Sequence, residues 1–269
     1  MNIEKHITEI NRSAFTKVNK IFTKKECQEY IIKCEKIFQF LLKKKKVNTF
    51  STEAQIIDNP FQYDNFFFQQ VYFKRIDKLL RKLLDDDYVL INSNLINRRK
   101  FYHPNIHNNI ARTAEWHTDS RYLGGKRLGK GLSYIVFIAL EDFTKENGAT
   151  CYIPKTHRIT NTAIPKRRAN YKHEVVSVKR GDMIIFDSGL WHKGGQPSYK
   201  SRWGIFNYYG PWWMKPYYLY DQMLGEKKLK SLNANIKKML HCYSTPPKNS
   251  WKRTSTINWE KRGDWNYNY

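Results

Sequence analysis

The sequence has few cysteines and no long apolar run. Its 269 residues include four cysteines and no C-x-x-C pair, so the usual zinc and redox motifs are missing. We expect reduced, structural thiols and a cytoplasmic protein. No apolar stretch is long enough for a transmembrane helix, and the first residues lack the apolar core of a secretory signal.

Acidic residues are also scarce. The chain has 48 Lys and Arg against 24 Asp and Glu, which gives a net charge of +24. A field of this sign favours an anionic ligand, such as nucleic acid or a phosphorylated metabolite. Composition is the competing explanation. Lys, Asn, Ile, Tyr and Phe are all abundant, as AT-rich codons would cause, and the basic residues are spread along the whole chain.

Enough apolar residues are present for a sizeable core. Hydrophobic residues make up 41% of the chain and aromatic residues 15%, and no internal repeat is visible. We expect a single domain over 1–269. It divides into an N-terminal helical wrap at 1–87, a β core at 88–215, and a C-terminal helix with a basic, aromatic tail at 216–269.

Three helices are predicted outside the β core. Thr23-Lys24-Lys25-Glu26 fits a capping box, and an apolar stripe continues from it to about Lys45. A second amphipathic pattern runs over 65–84. A third helix is expected over 219–240, after an aromatic cluster formed by Trp212, Trp213, Tyr217 and Tyr218.

From Tyr88 the apolar period changes to that of strands. Short apolar segments alternate with turn residues, which is typical of an antiparallel barrel or sandwich. The segment 132–140 is almost continuously apolar, as a strand covered on both faces would be. Further strands are predicted at 150–153, 174–178, 183–186 and 202–209.

The strongest candidate site starts at Glu115-Trp116-His117-Thr118-Asp119-Ser120. On a strand, His117 and Asp119 would point to the same face. With His192, which follows 75 residues (192 − 117) after His117, they would complete a 2-His-1-carboxylate triad able to hold Fe(II) with open positions. A tryptophan precedes each histidine, and we expect Trp116 and Trp191 to point away, into the packing between barrel and outer helices.

Arg202 follows His192 by ten residues (202 − 192), at the start of the last predicted strand. A buried guanidinium needs a carboxylate or phosphate partner, and no nearby acidic residue is an obvious one. The distal carboxylate of 2-oxoglutarate would fit, with its keto acid end on the iron. The alternative is an arginine at a strand end that points to solvent.

These motifs together resemble the phytanoyl-CoA dioxygenase family. They are Trp116-His117-Thr118-Asp119, Glu146-Asn147-Gly148 with Pro154-Lys155-Thr156-His157, Gly181-Asp182, Trp191-His192 and Arg202. The resemblance implies a mainly β fold with flanking helices, built on a double-stranded β-helix, the jelly-roll barrel of cupin-like proteins. It also implies Fe(II), 2-oxoglutarate and O₂ as cofactor and cosubstrates, with ascorbate as a stimulant. The implied reaction is hydroxylation, with release of succinate and CO₂, and desaturation, demethylation and ring closure would use the same residues.

The same resemblance assigns roles to individual residues. His117, Asp119 and His192 would bind the iron, Arg202 would bind 2-oxoglutarate, and Thr150 lies on the strand that often adds a cosubstrate contact. Many members of the family carry a hydroxyl two residues after the second histidine. That position is Gly194 here, so the contact is missing or supplied elsewhere.

Substrate-binding residues are expected on a flap beside the site. The glycine-rich loop at 124–131 lacks the order of a phosphate-binding P-loop and does not join a strand to a helix. Arg121, Lys126 and Arg127 are the candidates there for binding a small, anionic metabolite, although a solvated loop would have the same composition. Trp212 is a further candidate.

Two other classes of function stay open from the sequence. The charge and the aromatic tail (Trp251, Trp259, Trp265, Tyr267 and Tyr269) would also suit a nucleic-acid-binding or nucleic-acid-modifying protein on a jelly-roll scaffold. A jelly-roll isomerase or binding protein could use the same metal without O₂.

Overall fold

A computed structural model describes residues 1–47, 54–100, 115–119, 132–159 and 165–244. The proposed flap at 124–131, with Arg121, Lys126 and Arg127, lies outside these residues. The tail after Thr245, on which the nucleic-acid alternative depends, lies outside them as well.

Six antiparallel strands form the larger of two sheets. Their order across the sheet is β1-β7-β4-β9-β3-β2, so strands distant in sequence are neighbours. The strands are β1 (Phe15–Val18), β2 (Gln55–Asp58), β3 (Val89–Asn97), β4 (Tyr134–Ala139), β7 (Met183–Asp187) and β9 (Trp203–Gly210). The smaller sheet, of order β6-β5-β8, consists of β5 (Cys151–Tyr152), β6 (Glu174–Val175) and β8 (His192–Lys193).

The larger sheet is buried on both faces. Along β4, Val136 and Ile138 pack into a core shared with the helices, whereas Ile135 and Phe137 pack into a second core with residues of the smaller sheet. This alternation follows the two-residue period of a strand. It confirms the prediction that 132–140 is a strand covered on both sides, and it places the inner face of the sheet opposite β5, β6 and β8.

The N-terminal segment contains strands as well as helices. Helix α1 (Ile3–Ser13) begins after Asn2, whose side chain accepts a hydrogen bond from the amide of Lys5. Strand β1 then pairs with β7, and β2 pairs with β3. The segment 1–87, predicted as a helical wrap, therefore also contributes strands, since residues 15–18 and 55–58 form the two edges of the larger sheet.

Helix α2 (Lys24–Lys43) agrees with the prediction. The Thr23 hydroxyl accepts from the amide of Glu26, and the Glu26 carboxylate accepts from the amide of Thr23, which completes the capping box. Cys27, Cys34, Phe38 and Leu41 are buried along one face. This helix covers the outer face of the larger sheet, where Phe38 contacts Trp203.

Two other predicted helices are divided. The segment 65–84 consists of a 3₁₀ helix, Asn65–Gln70, and helix α3, Lys74–Leu84. The predicted helix over 219–240 is three short helices, α4 (Tyr220–Leu224), α5 (Glu226–Ser231) and α6 (Ala234–Met239). Gly225, at a φ of 75°, ends α4, and the Asn233 side chain caps α6.

The aromatic residues before α4 differ in their exposure to solvent. Trp213, Tyr217 and Tyr218 are exposed, and Trp212 is half-buried. The Tyr217 ring contacts Tyr208, with 5.9 Å between centroids. The predicted cluster of these four residues stays a prediction. Within the described ranges, no helix combines the length and the apolar character needed to cross a membrane.

Candidate metal centre

The segment 115–119 is held beside β8 by main-chain hydrogen bonds. The amides and carbonyls of His117 and His192 bond reciprocally, at 3.0 Å each. The Asp119 amide donates to the Ser188 carbonyl at 2.9 Å. The predicted strand over 115–120 is therefore only an isolated bridge at His117. The side chains of His117 and Asp119 nevertheless lie close together, as the alternation predicted.

Three side chains converge at this point. The Nε2 atom of His117 lies 3.8 Å from Asp119 Oδ1, and the Nε2 atom of His192 lies 3.4 Å from Asp119 Oδ2. The imidazole centroids are 4.3 Å apart. One ligand atom from each residue lies within 4.8 Å of the others, so the three could hold a metal ion between them.

The hydrogen bonds of both imidazoles set their tautomers. Nδ1 of His117 lies 2.8 Å from the Glu115 carbonyl, and Nδ1 of His192 lies 2.8 Å from the Leu190 carbonyl. A carbonyl oxygen only accepts, so each Nδ1 carries the hydrogen and each Nε2 has a free lone pair. Burial lowers the pKa of His192, as does the nearby His117, which favours the neutral imidazole that a metal requires. The donor set therefore fits a metal ion.

A hydroxyl network lies next to Asp119. The Thr118 hydroxyl donates to the Ser188 carbonyl at 2.9 Å, and the Ser188 hydroxyl donates to the Ser133 carbonyl at 2.9 Å. The Tyr208 hydroxyl lies 3.3 Å from the Asp119 carbonyl oxygen. Burial is the largest cause that raises the pKa of Tyr208 to about 12, so this hydroxyl stays a donor at neutral pH. Sequence reasoning missed the network, since no local pattern brings these strands together.

The two tryptophans do not pack against the outer helices. Trp116 donates from Nε1 to the Ala169 carbonyl at 3.0 Å, and its ring lies 5.8 Å from that of Tyr171. Trp191 lies 5.9 Å from the same Tyr171 ring. The prediction that they point into the packing with outer helices is therefore wrong. Both pack on the segment 165–173, which forms one wall of the site.

Arg202 is buried inside the molecule rather than solvated. Its residue exposure is 2%, and neither Nε nor Nη1 has a hydrogen-bond partner among the described residues. The guanidinium carbon lies 4.1 Å from the centroid of the Phe143 ring. Burial lowers the pKa of Arg202, and so does the nearby charge of Arg98. A buried cation with free donors is suited to an anionic ligand.

Arg98 is a second buried guanidinium that the sequence reasoning missed. Its exposure is 6%, and Nη2 donates to the Gly195 carbonyl at 2.8 Å. In the sequence it stands beside Arg99 in a polar segment. The one available signal was spacing, since Arg98 lies two residues after Ile96 and so continues one face of β3.

Thr150 lies at a position compatible with its predicted role. Cys151 pairs with Lys193, and Tyr152 pairs with His192. One step earlier in this antiparallel register, Thr150 would lie beside Gly194, on the face that carries His192. Its contact with a cosubstrate stays a prediction.

Trp212 packs against the inner core from the end of β9. It also lines an open groove of about 650 Å³ with Trp213 and with the C-terminal end of α3. Its role in substrate binding stays a prediction, as do those of Arg121, Lys126 and Arg127.

Basic side chains stand on the rim of the site. Arg167 and Arg168 lie 3.4 Å and 3.1 Å from the two carboxylate oxygens of Glu115, and their side chains are 79% and 84% exposed. Lys193 extends over the Trp116 ring, with Nζ 4.7 Å from the centroid. The Glu115 carboxylate thus faces two guanidiniums, and Lys193 adds a third cation beside Trp116, so these four charged side chains together are net positive.

Comparison with known proteins agrees with the fold and the site. Two antiparallel sheets, with His192 on the smaller one and His117 and Asp119 on the segment bonded beside it, define a jelly-roll protein with a candidate metal centre. The family model described as phytanoyl-CoA dioxygenase (PhyH) matches residues 12–203. The chain therefore belongs to the phytanoyl-CoA dioxygenase family, as its motifs predicted.

A curated relative and solved structures were also found. "Dioxygenase af480" of Aspergillus fumigatus is 29% identical over 107 residues, 39% of this chain and 35% of that protein. The chain thus spans about a third of the length of this relative. HygX of Streptomyces hygroscopicus, solved with nickel, 2-oxoglutarate and hygromycin B, has a TM-score of 0.60 at 14% identity and covers 80% of this chain and 89% of its own.

A second solved structure has the same fold. The epimerase SnoN, in complex with Fe³⁺, alpha-ketoglutarate and nogalamycin RO, has a TM-score of 0.58 at 12% identity. The match covers 78% of this chain and 83% of SnoN. These likenesses confirm the predicted fold class, a double-stranded β-helix with flanking helices.

Proposed function

We propose that the protein is an Fe(II)- and 2-oxoglutarate-dependent oxygenase that hydroxylates a C–H bond of a small, anionic metabolite. The observation that carries the proposal is the convergence of two Nε2 lone pairs and one carboxylate on a single point. In this proposal His117, Asp119 and His192 bind the iron. Family membership and the ligands named for HygX and SnoN support the choice of iron and 2-oxoglutarate.

Arg202 provides the second part of the proposal. Its buried guanidinium would receive the carboxylate of 2-oxoglutarate that is remote from the metal. Free donors at Nε and Nη1, together with the Phe143 ring beneath them, fix the direction from which a carboxylate would approach. Thr150 is proposed as a weaker contact to the same cosubstrate.

The chemistry divides between the cofactor and the chain. Bound iron with 2-oxoglutarate would supply the oxidising power, so that one atom of O₂ enters succinate and the other enters the product. The chain itself orients the side chains of the site. The carbonyls of Glu115 and Leu190 hold the imidazoles, the Ser188 carbonyl holds the Asp119 amide, and Trp116 and Trp191 are buried against Tyr171.

The positive rim supports an anionic substrate. Arg167, Arg168 and Lys193 stand beside the metal ligands, and Glu115 offsets part of their charge. Cations at the mouth of a site raise the local concentration of anions and their rate of association. We also propose a cytoplasmic location, since all four cysteines are free thiols and three of them are buried.

The test is succinate release from 2-oxoglutarate under O₂, with Fe(II) and ascorbate. Wild type should release succinate slowly without substrate and faster with the right member of a metabolite panel. Asp119→Ala should fall to the background rate, about 100-fold or more, because the metal loses its only carboxylate ligand. Asp221→Ala, an exposed carboxylate on α4, is the matched control and should keep the wild-type rate.

The outcomes separate the remaining functions. No succinate and no Fe(II)-dependent binding of 2-oxoglutarate in wild type would refute the oxygenase proposal. Product mass identifies the reaction, since hydroxylation adds one oxygen, whereas an epimerisation of the kind named for SnoN leaves the mass unchanged. The nucleic-acid alternative requires binding that weakens with salt and disappears when the chain is cut at Thr245.

A further inference from the structure

We propose that Tyr208 is a positioning residue for the metal centre. Through one hydrogen bond to the main chain of Asp119, and with Ser133 and Ser188 behind it, Tyr208 fixes the direction of the carboxylate ligand. The inference rests on the proposed function, because it takes His117, Asp119 and His192 as metal ligands. It adds to them a residue that acts on the metal only through Asp119.

The carboxylate of Asp119 is held differently from the two imidazoles. Each imidazole is oriented by a hydrogen bond from its own Nδ1 to a main-chain carbonyl, at 2.8 Å. In the described part of the chain, no donor bonds to the Asp119 carboxylate, which faces Nε2 of His117 at 3.8 Å and Nε2 of His192 at 3.4 Å. Both of those nitrogens present lone pairs. The direction of the carboxylate therefore depends on where the main chain holds the Cβ atom of Asp119.

The main chain of Asp119 is hydrogen-bonded on both sides of its Cα atom. The amide donates to the Ser188 carbonyl at 2.9 Å, and the carbonyl oxygen accepts from the Tyr208 hydroxyl at 3.3 Å. Because a peptide group is planar, a hydrogen bond to it also restrains the adjoining bond to Cα. With the bonds from Cα to N and to C both restrained, the position of Cβ is set.

The two residues that hold Asp119 are joined to each other through Ser133. The Ser133 hydroxyl donates to the Tyr208 oxygen at 2.9 Å. Ser188 shares its hydrogen between Oγ and the carbonyl oxygen of Ser133, at 2.6 Å and 2.9 Å. Since a hydroxyl has one hydrogen, donation runs from Ser188 to Ser133, then to Tyr208 and to the Asp119 carbonyl. These bonds close a ring through both sides of Asp119, and bonds in such a chain polarise one another.

Strand register explains why Tyr208 reaches this position. It lies opposite Ile135 in the β4–β9 pair, and both residues belong to the inner core. Tyr209 belongs to the outer core, as strand alternation requires. Its hydroxyl accepts from Asn207 Nδ2 at 3.0 Å and donates to the Val71 carbonyl at 2.9 Å. Two adjacent, buried tyrosines thus each accept one hydrogen bond and donate one to a carbonyl, and only Tyr208 donates to a metal ligand.

The experiment titrates the metal-free protein with Co(II), a probe ion whose visible absorption reports its coordination geometry. Tyr208→Phe removes the hydroxyl and keeps the ring. It should weaken Co(II) binding about 10-fold, the lower end of the range for residues that orient a metal ligand, because 3.3 Å is long for a hydroxyl bond. The absorption of the bound Co(II) should also change, because the carboxylate loses its fixed direction.

Tyr209→Phe is the matched control. It removes the other buried tyrosine hydroxyl of β9, so both variants should unfold at similar urea concentrations. The Co(II) affinity and absorption of Tyr209→Phe should equal those of wild type. Ser133→Ala is a second probe, which keeps the Tyr208 hydroxyl and removes the donor behind it. Its Co(II) affinity should lie between those of wild type and Tyr208→Phe.

Three results would overturn the inference. Wild-type affinity and absorption in Tyr208→Phe would mean that the hydroxyl does not position the carboxylate. Equal losses in Tyr208→Phe and Tyr209→Phe would mean that the effect is one on folding. Wild-type Co(II) affinity in Asp119→Ala would mean that the ion binds elsewhere.

Failure of the proposed function gives a different result. If wild type binds Co(II) through Asp119 but releases no succinate from 2-oxoglutarate with Fe(II) and O₂, the oxygenase proposal fails. The role of Tyr208 at the metal centre would then stand, because its measurement does not depend on turnover.

Discussion

Arg202 combines a proposed binding role with a cost to the fold. Its guanidinium is buried over the Phe143 ring, and two of its donors have no hydrogen-bond partner among the described residues. Burying a charge without a partner is unfavourable, and a hydrophobic residue of similar size is often tolerated better. Replacing Arg202 by an apolar residue should therefore raise the stability of the fold and weaken ligand binding.

Substitution of Arg202 by Leu tests this opposition. The free energy of unfolding of the metal-free protein should rise by about 1 kcal/mol or more, because a buried charge is removed. Binding of 2-oxoglutarate should be lost, while Fe(II) binding stays near that of wild type. Urea unfolding and anaerobic titration measure the two effects. Arg99→Leu, at an exposed arginine, should change neither, and parallel losses of iron and 2-oxoglutarate in Arg202→Leu would mark the residue as structural.

At the residue scale, the candidate site was predictable where it depends on short motifs that can be read from the sequence. His117, Asp119 and His192 come together as expected. Arg202 was expected at the start of a strand and is buried there. The burial of Arg98 could not be predicted in this way, because it depends on the register between β3 and β9. That register is set by contacts far apart in the sequence.

At the scale of elements, the turn before β7 connects the N-terminal segment to the sheet. The Asp182 carboxylate accepts from the Lys20 amide at 2.9 Å and forms a 2.7 Å ion pair with Lys17. The Gly181 carbonyl accepts from the amides of Ile21 and Phe22, at 2.8 Å and 3.1 Å. Strand β1 and the start of α2 are thereby fixed to one turn.

Replacing Asp182 by Ala should loosen β1 from the sheet. The variant loses a buried, charged acceptor and leaves the Lys20 amide unpaired, so unfolding should become easier by about 2–3 kcal/mol. Hydrogen exchange should increase at residues 15–18, which pair with β7, more than in β3 or β9. Asp142→Ala removes a comparable but exposed turn carboxylate, bonded to the Arg180 amide, and should cost less than about 1 kcal/mol. Equal costs in the two variants would contradict this role of Asp182.

Element prediction succeeded where the local signal was complete. The Thr23 capping box marks the start of α2, and the continuous apolar run at 132–140 marks β4. The apolar pattern over 65–84 did not reveal the break before α3, because apolar residues continue through it. Residues 15–18 contain two apolar residues in four, so their pairing with β7 becomes favourable only once the sheet exists.

At the scale of the whole molecule, the net charge of +24 sets a repulsive background. Many ion pairs in the described residues involve exposed side chains, and such pairs contribute little to the free energy of folding. At 0.1 M salt, the repulsion between exposed charges more than about 10 Å apart is largely screened. We therefore expect self-repulsion, rather than local pairing, to dominate the response to salt.

Thermal unfolding at increasing KCl measures that response. The melting temperature should rise by a few degrees between about 20 mM and about 300 mM KCl, because self-repulsion among positive charges destabilises the compact state. A variant in which several exposed lysines of α5 and α6 are replaced by glutamine should rise less. A melting temperature that falls with salt would show that favourable ion pairs outweigh the repulsion.

The hydrogen bonds that hold the two imidazoles have an evolutionary consequence. Glu115 and Leu190 contribute only main-chain oxygens to His117 and His192, and every amino acid has such an oxygen. A substitution at Glu115 can therefore change the charge at the rim without removing the hydrogen bond that orients His117. The orientation of the two imidazoles thus depends on the path of the main chain at residues 115 and 190, and not on which side chains stand there.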